Sequence, residues 1–252
     1  VSTGAKILVR PRPRPQASRV LVCIGYSGGG TAPFRPWATQ LPDDTELVLV
    51  CYPGREGRFT EPYATEWDPL CDEVVDAVVT DVATRPYVLF GHSMGAVMAF
   101  EVAARAERRG RGPMALTVSA SEAPTDWPLR DGTPPHLGQS DDELVHWMST
   151  VGQLPQALLD EPELVQMAVS LLRADLTVSA SYQYRPGTTV QAPMQVVYGA
   201  EDGKAPAGHA QRWTELAAGR VRVDELPGGH FYTPEIWSVF PSRIASLTSF
   251  SR

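Results

Sequence analysis

Val88-Leu89-Phe90-Gly91-His92-Ser93-Met94-Gly95-Ala96 decides the fold of this chain. Tyr87 to Phe90 is a short apolar run, as in a buried strand. From Ala96 to Arg109 the pattern is helical and Ala-rich, with no Gly or Pro before Gly110. A strand that turns straight into a helix at Gly91-x-Ser93-x-Gly95 presents its serine on a sharp turn, with the hydroxyl lifted above the sheet edge. The positions flanking such a turn must be nearly free of side chain, hence the glycines. The first free N–H groups of the new helix then face whatever Ser93 attacks. The pattern alone is common. The strand before it and the helix after it favour a nucleophile over a small-residue turn with a solvated serine.

A second match, Gly25-x-Ser27-x-Gly29, follows a strand at Arg19 to Ile24. There Gly28, Gly29, Gly30 and Pro33 come next, so no helix starts at once. This turn reads instead as the backbone of an oxyanion hole, where glycines let main-chain N–H groups approach a substrate.

Further strands are expected at Glu46 to Cys51, Met114 to Ser119, Met194 to Tyr198 and Val221 to Leu226, and helices at Phe34 to Leu41, Trp67 to Val82, Pro206 to Ala217 and Ile236 to Phe250. The alternation implies an α/β architecture: a mostly parallel sheet with helices on both faces. From about 122 to 186 the rhythm breaks. Pro124, Pro128, Pro134 and Pro135 rule out one continuous helix. Ser140 then caps a helix with Glu143 three residues on, whose apolar face is Leu144, Trp147, Met148 and Val151. A second helix starts near Pro162 and carries Leu164, Met167, Ala168, Leu171 and Leu172. This insertion reads equally as ordinary packing and as a lid over an acyl chain.

A serine hydroxyl needs a base, and the base needs an orienting carboxylate. Of the five histidines, His92 adjoins Ser93 at a sharp turn and points away from it. His136 and His146 lie in the insertion, and His209 lies inside a helix. Only His230 follows a strand, and Gly228-Gly229 lets it turn inward. For the acid, Glu201 and Asp202 compete on one loop; the shorter Asp202, before Gly203, is more easily held against an imidazole. The expected triad is Ser93, His230 and Asp202. The oxyanion donors are the N–H of Met94 with that of Ser27 or Tyr26.

The 252 residues fit one α/β domain, 1–252, interrupted by the insertion. A formal charge of −7 argues against general nucleic-acid binding, and no apolar run is long enough to span a bilayer. Val1 to Ala17 has arginines but no apolar core, so no secretory signal is expected there. Its Arg10-Pro11-Arg12-Pro13-Arg14-Pro15 stretch reads as an extended, solvated arm. Cys23, Cys51 and Cys71 have no metal spacing and read as buried thiols. A reducing, cytoplasmic location fits them. Neither metal nor bound cofactor is expected, nor an oligomer.

The chain resembles the type II thioesterases, the stand-alone editing hydrolases of polyketide and non-ribosomal peptide synthesis. The resemblance rests on Phe34-Arg35-Pro36-Trp37, Pro53-Gly54-Arg55-Glu56, Gly91 to Ala96, Ser140-Asp141-Asp142-Glu143-Leu144, Leu172-Arg173-Ala174-Asp175 and Gly228-Gly229-His230-Phe231. It implies an α/β-hydrolase fold with a helical lid. It also implies hydrolysis of unwanted acyl groups from acyl or peptidyl carrier proteins, whose own phosphopantetheine arm carries the thioester. It supports the same triad. The family usually has Pro-aromatic-Ala-Gly-Gly at the first turn, where this chain has Gly25-Tyr26-Ser27-Gly28-Gly29. Arg35, Arg55, Arg58 and Arg185 are candidate contacts for an acidic carrier protein. A general carboxylesterase, a cyclising synthase thioesterase and a non-catalytic hydrolase-like receptor are the competing readings.

Overall fold

The computed structural model describes residues 7–127, 137–154, 156–203 and 207–248. The strands are β1 (Leu8–Val9), β2 (Arg19–Ile24), β3 (Thr45–Val50), β4 (Tyr87–His92), β5 (Ala115–Ser119), β6 (Met194–Gly199) and β7 (Val221–Leu226). They form one sheet in the order β1-β3-β2-β4-β5-β6-β7. Only β1 runs antiparallel, against β3; every other pair is parallel. The central strands are buried at every position, which is why they read as unbroken apolar runs.

Side chains alternate across the sheet. Val20, Val22 and Ile24 join a core under helices α1 (Trp67–Ala77) and α2 (Met94–Arg108). Leu21 and Cys23 join a second core on the other face, with Phe34, Trp37 and Phe240. All three cysteines are free and buried. Among the described residues no helix is long and apolar enough to cross a membrane.

Between β5 and β6 lie α3 (Asp141–Thr150), α4 (Gln156–Leu159) and α5 (Pro162–Ala180). Ser140 and Glu143 form the expected reciprocal cap. The insertion has its own core of Leu144, Met148, Leu154, Val169, Leu172 and Leu176. Leu164 and Met167 are not part of it; both are exposed. Helix α6 (Ala207–Thr214) precedes β7.

Three expected helices differ in form. Residues 32–39 are a 3₁₀ helix (Ala32–Thr39), because Pro36 inside it cannot donate to an α-helical ladder. The Trp67 helix ends in a π turn, Val78–Val82. The expected C-terminal helix is broken into α7 (Pro234–Ser238), a 3₁₀ turn (Phe240–Arg243) and α8 (Ala245–Thr248), with Pro241 at the break. Phe240, Ile244 and Leu247 still reach the core. Residues 1–6, Pro128, Pro134, Pro135, His136, Pro206 and Phe250 lie outside the described residues.

The N-terminal arm is tied to the sheet, although Arg12, Pro13, Pro15 and Gln16 are exposed. β1 covers the edge of β3. Arg14 donates to the carbonyls of Ala38, Leu41, Pro42 and Thr45, and its own N–H donates to Glu46 at 2.9 Å. Arg10 and Arg85 flank the same buried carboxylate.

Candidate active site

Ser93 has φ 56° and ψ −123°, a conformation that non-glycine residues rarely adopt. Such strain persists only where the surroundings impose it. Here they do: a Cβ on Gly91 would lie 2.0 Å from the Gly95 carbonyl oxygen, and one on Gly95 would lie 2.3 Å from that of Ile24. Ser93 N–H donates to the Ser119 carbonyl at 2.8 Å, which ties the turn to the neighbouring strand. Met94 begins α2, so its N–H has no acceptor within the helix.

The loops after β6 and β7 are locked together. A Cβ on Gly199 would meet the Gly229 and Gly228 carbonyls at 2.2 and 2.4 Å. Glu201 N–H donates to the Gly228 carbonyl at 2.9 Å. This brings His230 Nδ1 to 3.0 Å from the Asp202 carboxylate, with only 9% and 3% of the two side chains exposed. Glu201, its competitor, is exposed. The contact fixes the imidazole with Nδ1 toward the acid and leaves Nε2 as the basic nitrogen. His230 and Asp202 are thus brought together. Ser93 Oγ makes no hydrogen bond to His230.

His92 lies under this pair, its ring centre 5.2 Å from that of His230. Its Nδ1 meets Ser119 Oγ at 2.9 Å, and Ser119 meets the Tyr232 hydroxyl at 2.7 Å. Burial, with the neighbouring His230 adding, holds His92 far below the ordinary histidine pKa, so it is a neutral core side chain. His146 is on α3 and His209 on α6, as expected.

At the first turn, Gly29 N–H donates to the Tyr26 carbonyl at 3.0 Å and Gly28 has φ 75°. Ser27 Oγ contacts Met94 Sδ at 3.3 Å, so this turn and the start of α2 adjoin. A cleft of about 980 Å³ opens here, lined by Tyr26, Gln153, Asp202, His230, Phe231 and Trp237 among others. Gln153 comes from the insertion, which therefore forms one wall. The insertion packs around its own core, and its residues 149–153 border the cleft.

Two of the four candidate docking arginines are spent internally. Arg55 and Arg58 are 4% and 5% exposed. Arg55 pairs with Asp175, and Arg58 with Glu61 and Glu73. A guanidinium buried with its partner lies out of reach of a carrier. Arg35 and Arg185 remain at the surface, paired with Glu56 and Asp68. Asp175 gained no role from the sequence. Its signals were its place in the Leu172-Arg173-Ala174-Asp175 stretch and an aspartate on the apolar side of α5, which calls for a buried cation.

A family model described as "Thioesterase domain" matches residues 19–244. The chain is 30% identical over 244 residues to a "Probable cadicidin biosynthesis thioesterase" of Streptomyces griseus, covering 96% of this chain and 66% of that relative. It is 31% identical over 232 residues to thioesterase PikA5 of Streptomyces venezuelae, covering 90% of this chain and 80% of the relative. Among solved structures, the type II thioesterase BorB from the borrelidin biosynthetic cluster superposes with a TM-score of 0.82 at 33% identity, over 97% of this chain and 96% of that one. The order of the strands, the strained serine at the sheet edge and these likenesses agree: the chain belongs to the thioesterase family, and its kin are the type II enzymes of polyketide and peptide biosynthesis.

Proposed function

We propose that this thioesterase hydrolyses acyl groups from the phosphopantetheine arm of acyl or peptidyl carrier proteins, through an acyl-enzyme on Ser93. The observation that carries the reading is the His230–Asp202 contact at 3.0 Å, nearly buried, at the same sheet edge as the strained Ser93. His230 Nε2 takes the Ser93 proton as Oγ attacks the thioester carbon. The oxyanion accepts from the N–H groups of Met94 and of Ser27 or Tyr26. The C–S bond breaks and the leaving thiolate receives the proton from His230. A water then attacks the acyl-serine ester with His230 as base, which releases the carboxylic acid and restores Ser93. Asp202 stays ionised and holds the imidazolium that forms in each half. The carrier's pantetheine arm would enter the cleft beside Phe231 and Trp237.

The test is hydrolysis of acyl groups loaded on a carrier protein beside the same acyl groups on a small pantetheine thiol, with wild type and Ser93→Ala. Ser93-dependent hydrolysis, faster from the carrier, is expected. Hydrolysis of simple esters with carrier thioesters ignored would move the function to a general esterase.

A further inference from the structure

The turn after β2 is gripped by side chains from distant parts of the chain. Gln153 Nε2 donates to the Ser27 carbonyl at 2.9 Å. The Asp175 carboxylate accepts from the Gly28 N–H at 2.7 Å. Arg55 donates to the Gly29 carbonyl at 2.6 Å and to the two Asp175 oxygens at 2.8 and 2.6 Å. Three successive residues of the turn are therefore held in place, two of them by residues of the insertion. The insertion also seats directly on the turn: a Cβ on Gly28 would lie 2.8 Å from Gln153 Nε2 and 3.1 Å from Leu172 Cβ.

The Arg55 and Asp175 side chains are 4% and 3% exposed. A buried ion pair is a poor device for stability alone, since apolar residues of the same volume avoid the desolvation cost. Its planar, two-point geometry fixes angles as well as distances. Asp175 is thereby held where its oxygen receives Gly28 N–H, and Arg55 where it meets the next carbonyl. Apolar substitutes could fill that space but could not orient the peptide groups.

Resting on the thioesterase mechanism above, we infer that Asp175 and Gln153 are positioning residues for the oxyanion hole. They set the Ser27–Gly29 backbone, and through it the proposed donor N–H of Ser27 or Tyr26, on a turn whose Ser27 Oγ touches Met94 Sδ. The insertion then belongs to the catalytic apparatus as well as to the wall of the cleft.

Two variants of the whole chain remove the grip. Gln153→Met keeps the bulk and removes the donor without adding charge. The double variant Arg55→Met/Asp175→Leu removes both buried charges together and so leaves no ion unpaired. Arg173→Ala is the control, because it breaks the Arg173–Asp141 contact inside the insertion and makes no hydrogen bond to the turn. Each is measured for kcat and KM on an acyl-pantetheine thioester, and for Kd with two analogues. One is a trifluoromethyl ketone that forms a tetrahedral oxyanion with Ser93; the other is an unreactive thioether. The expected result is a kcat lower by about 10- to 100-fold and a matching rise in the ketone Kd. KM and the thioether Kd should stay within about threefold. Arg173→Ala should leave all four values as in wild type. Wild-type kcat and ketone affinity in both grip variants would overturn the inference, as would equal loss of ketone and thioether binding. A wild type inert to both thioester and ketone would overturn the mechanism beneath it as well.

Discussion

Gly95→Ala tests a close helix-to-strand backbone approach in the site. Gly95 lies where α2 crosses the end of β2. A Cβ there would meet the carbonyl oxygens of Ile24 and Gly25 at 2.3 and 2.4 Å and the Ile24 carbonyl carbon at 2.7 Å. All three are backbone atoms, so no side-chain rotation relieves the contact. Helix and strand must part until the shortest distance reaches at least 3.0 Å. The displacement falls between the two segments proposed to carry the oxyanion donors: Met94 precedes Gly95, and Ser27 follows Gly25. Misplacing groups by about 1 Å at a reacting centre costs up to ~100-fold in rate. Overpacking of this kind costs about 1–3 kcal/mol of stability, or roughly 2–12 °C in Tm for a chain of this size. Thermal melts and steady-state thioester hydrolysis would read both effects. Gly57→Ala is the control, because nothing lies within 4 Å of its added Cβ; it should match wild type in both assays. If Gly95→Ala folds and keeps wild-type kcat, the claim that this close approach sets the site is refuted.

Asp202→Asn should lower kcat by about 10³- to 10⁴-fold, by presenting His230 with the wrong partner and tautomer; a loss below about tenfold would remove Asp202 from the mechanism. Ser27→Ala deletes only the contact to Met94 Sδ, so kcat should stay within about threefold; a loss near 100-fold would mean that the hydroxyl itself acts, not the backbone. His92 has a folded pKa well below its ordinary 6.5, so the unfolded chain binds a proton that the native state refuses. Its contribution to stability is whole above pH 6.5 and declines as the pH falls from there toward the folded value, by up to about 1.4 kcal/mol per pH unit. Urea titrations across that range should show His92→Asn with a slope shallower by one proton; an unchanged slope would assign the titration to another group.

The strands, the sharp turn at Ser93 and the meeting of His230 with Asp202 were legible because their signals are local. A strand buried on both faces reads as an unbroken apolar run, as in Val20 to Ile24. Ser93 and His230 stand at strand ends beside glycines whose missing side chains the close approaches require. The C-terminal segment misled because its apolar residues fall on one face although Pro241 breaks the ladder between them. Arg55 misled for a different reason. Its partner is 120 positions away, and an arginine in a charged, glycine-containing loop looks the same whether it serves a partner protein or a buried aspartate. The Arg-Pro arm read as an extended, solvated stretch, but its value to the fold lies in carbonyls of residues 38–45, which only tertiary structure brings to Arg14.

Every residue of α2 from Met94 to Ala106 is buried, whereas the insertion closes over a small core of its own. Backbone amides open in cooperative units whose cost follows the apolar contact each unit would lose. The helix that Ser93 caps should therefore exchange its amide hydrogens only on global unfolding. α3 and the earlier turns of α5 should exchange sooner, as a separate unit, whereas Val178 near the end of α5 belongs to the main core. Ser93 then stands beside the slowest-opening part of the molecule, while Gln153 and Asp175, two of the three side chains that grip the first turn, stand on a part expected to open while the sheet stays folded.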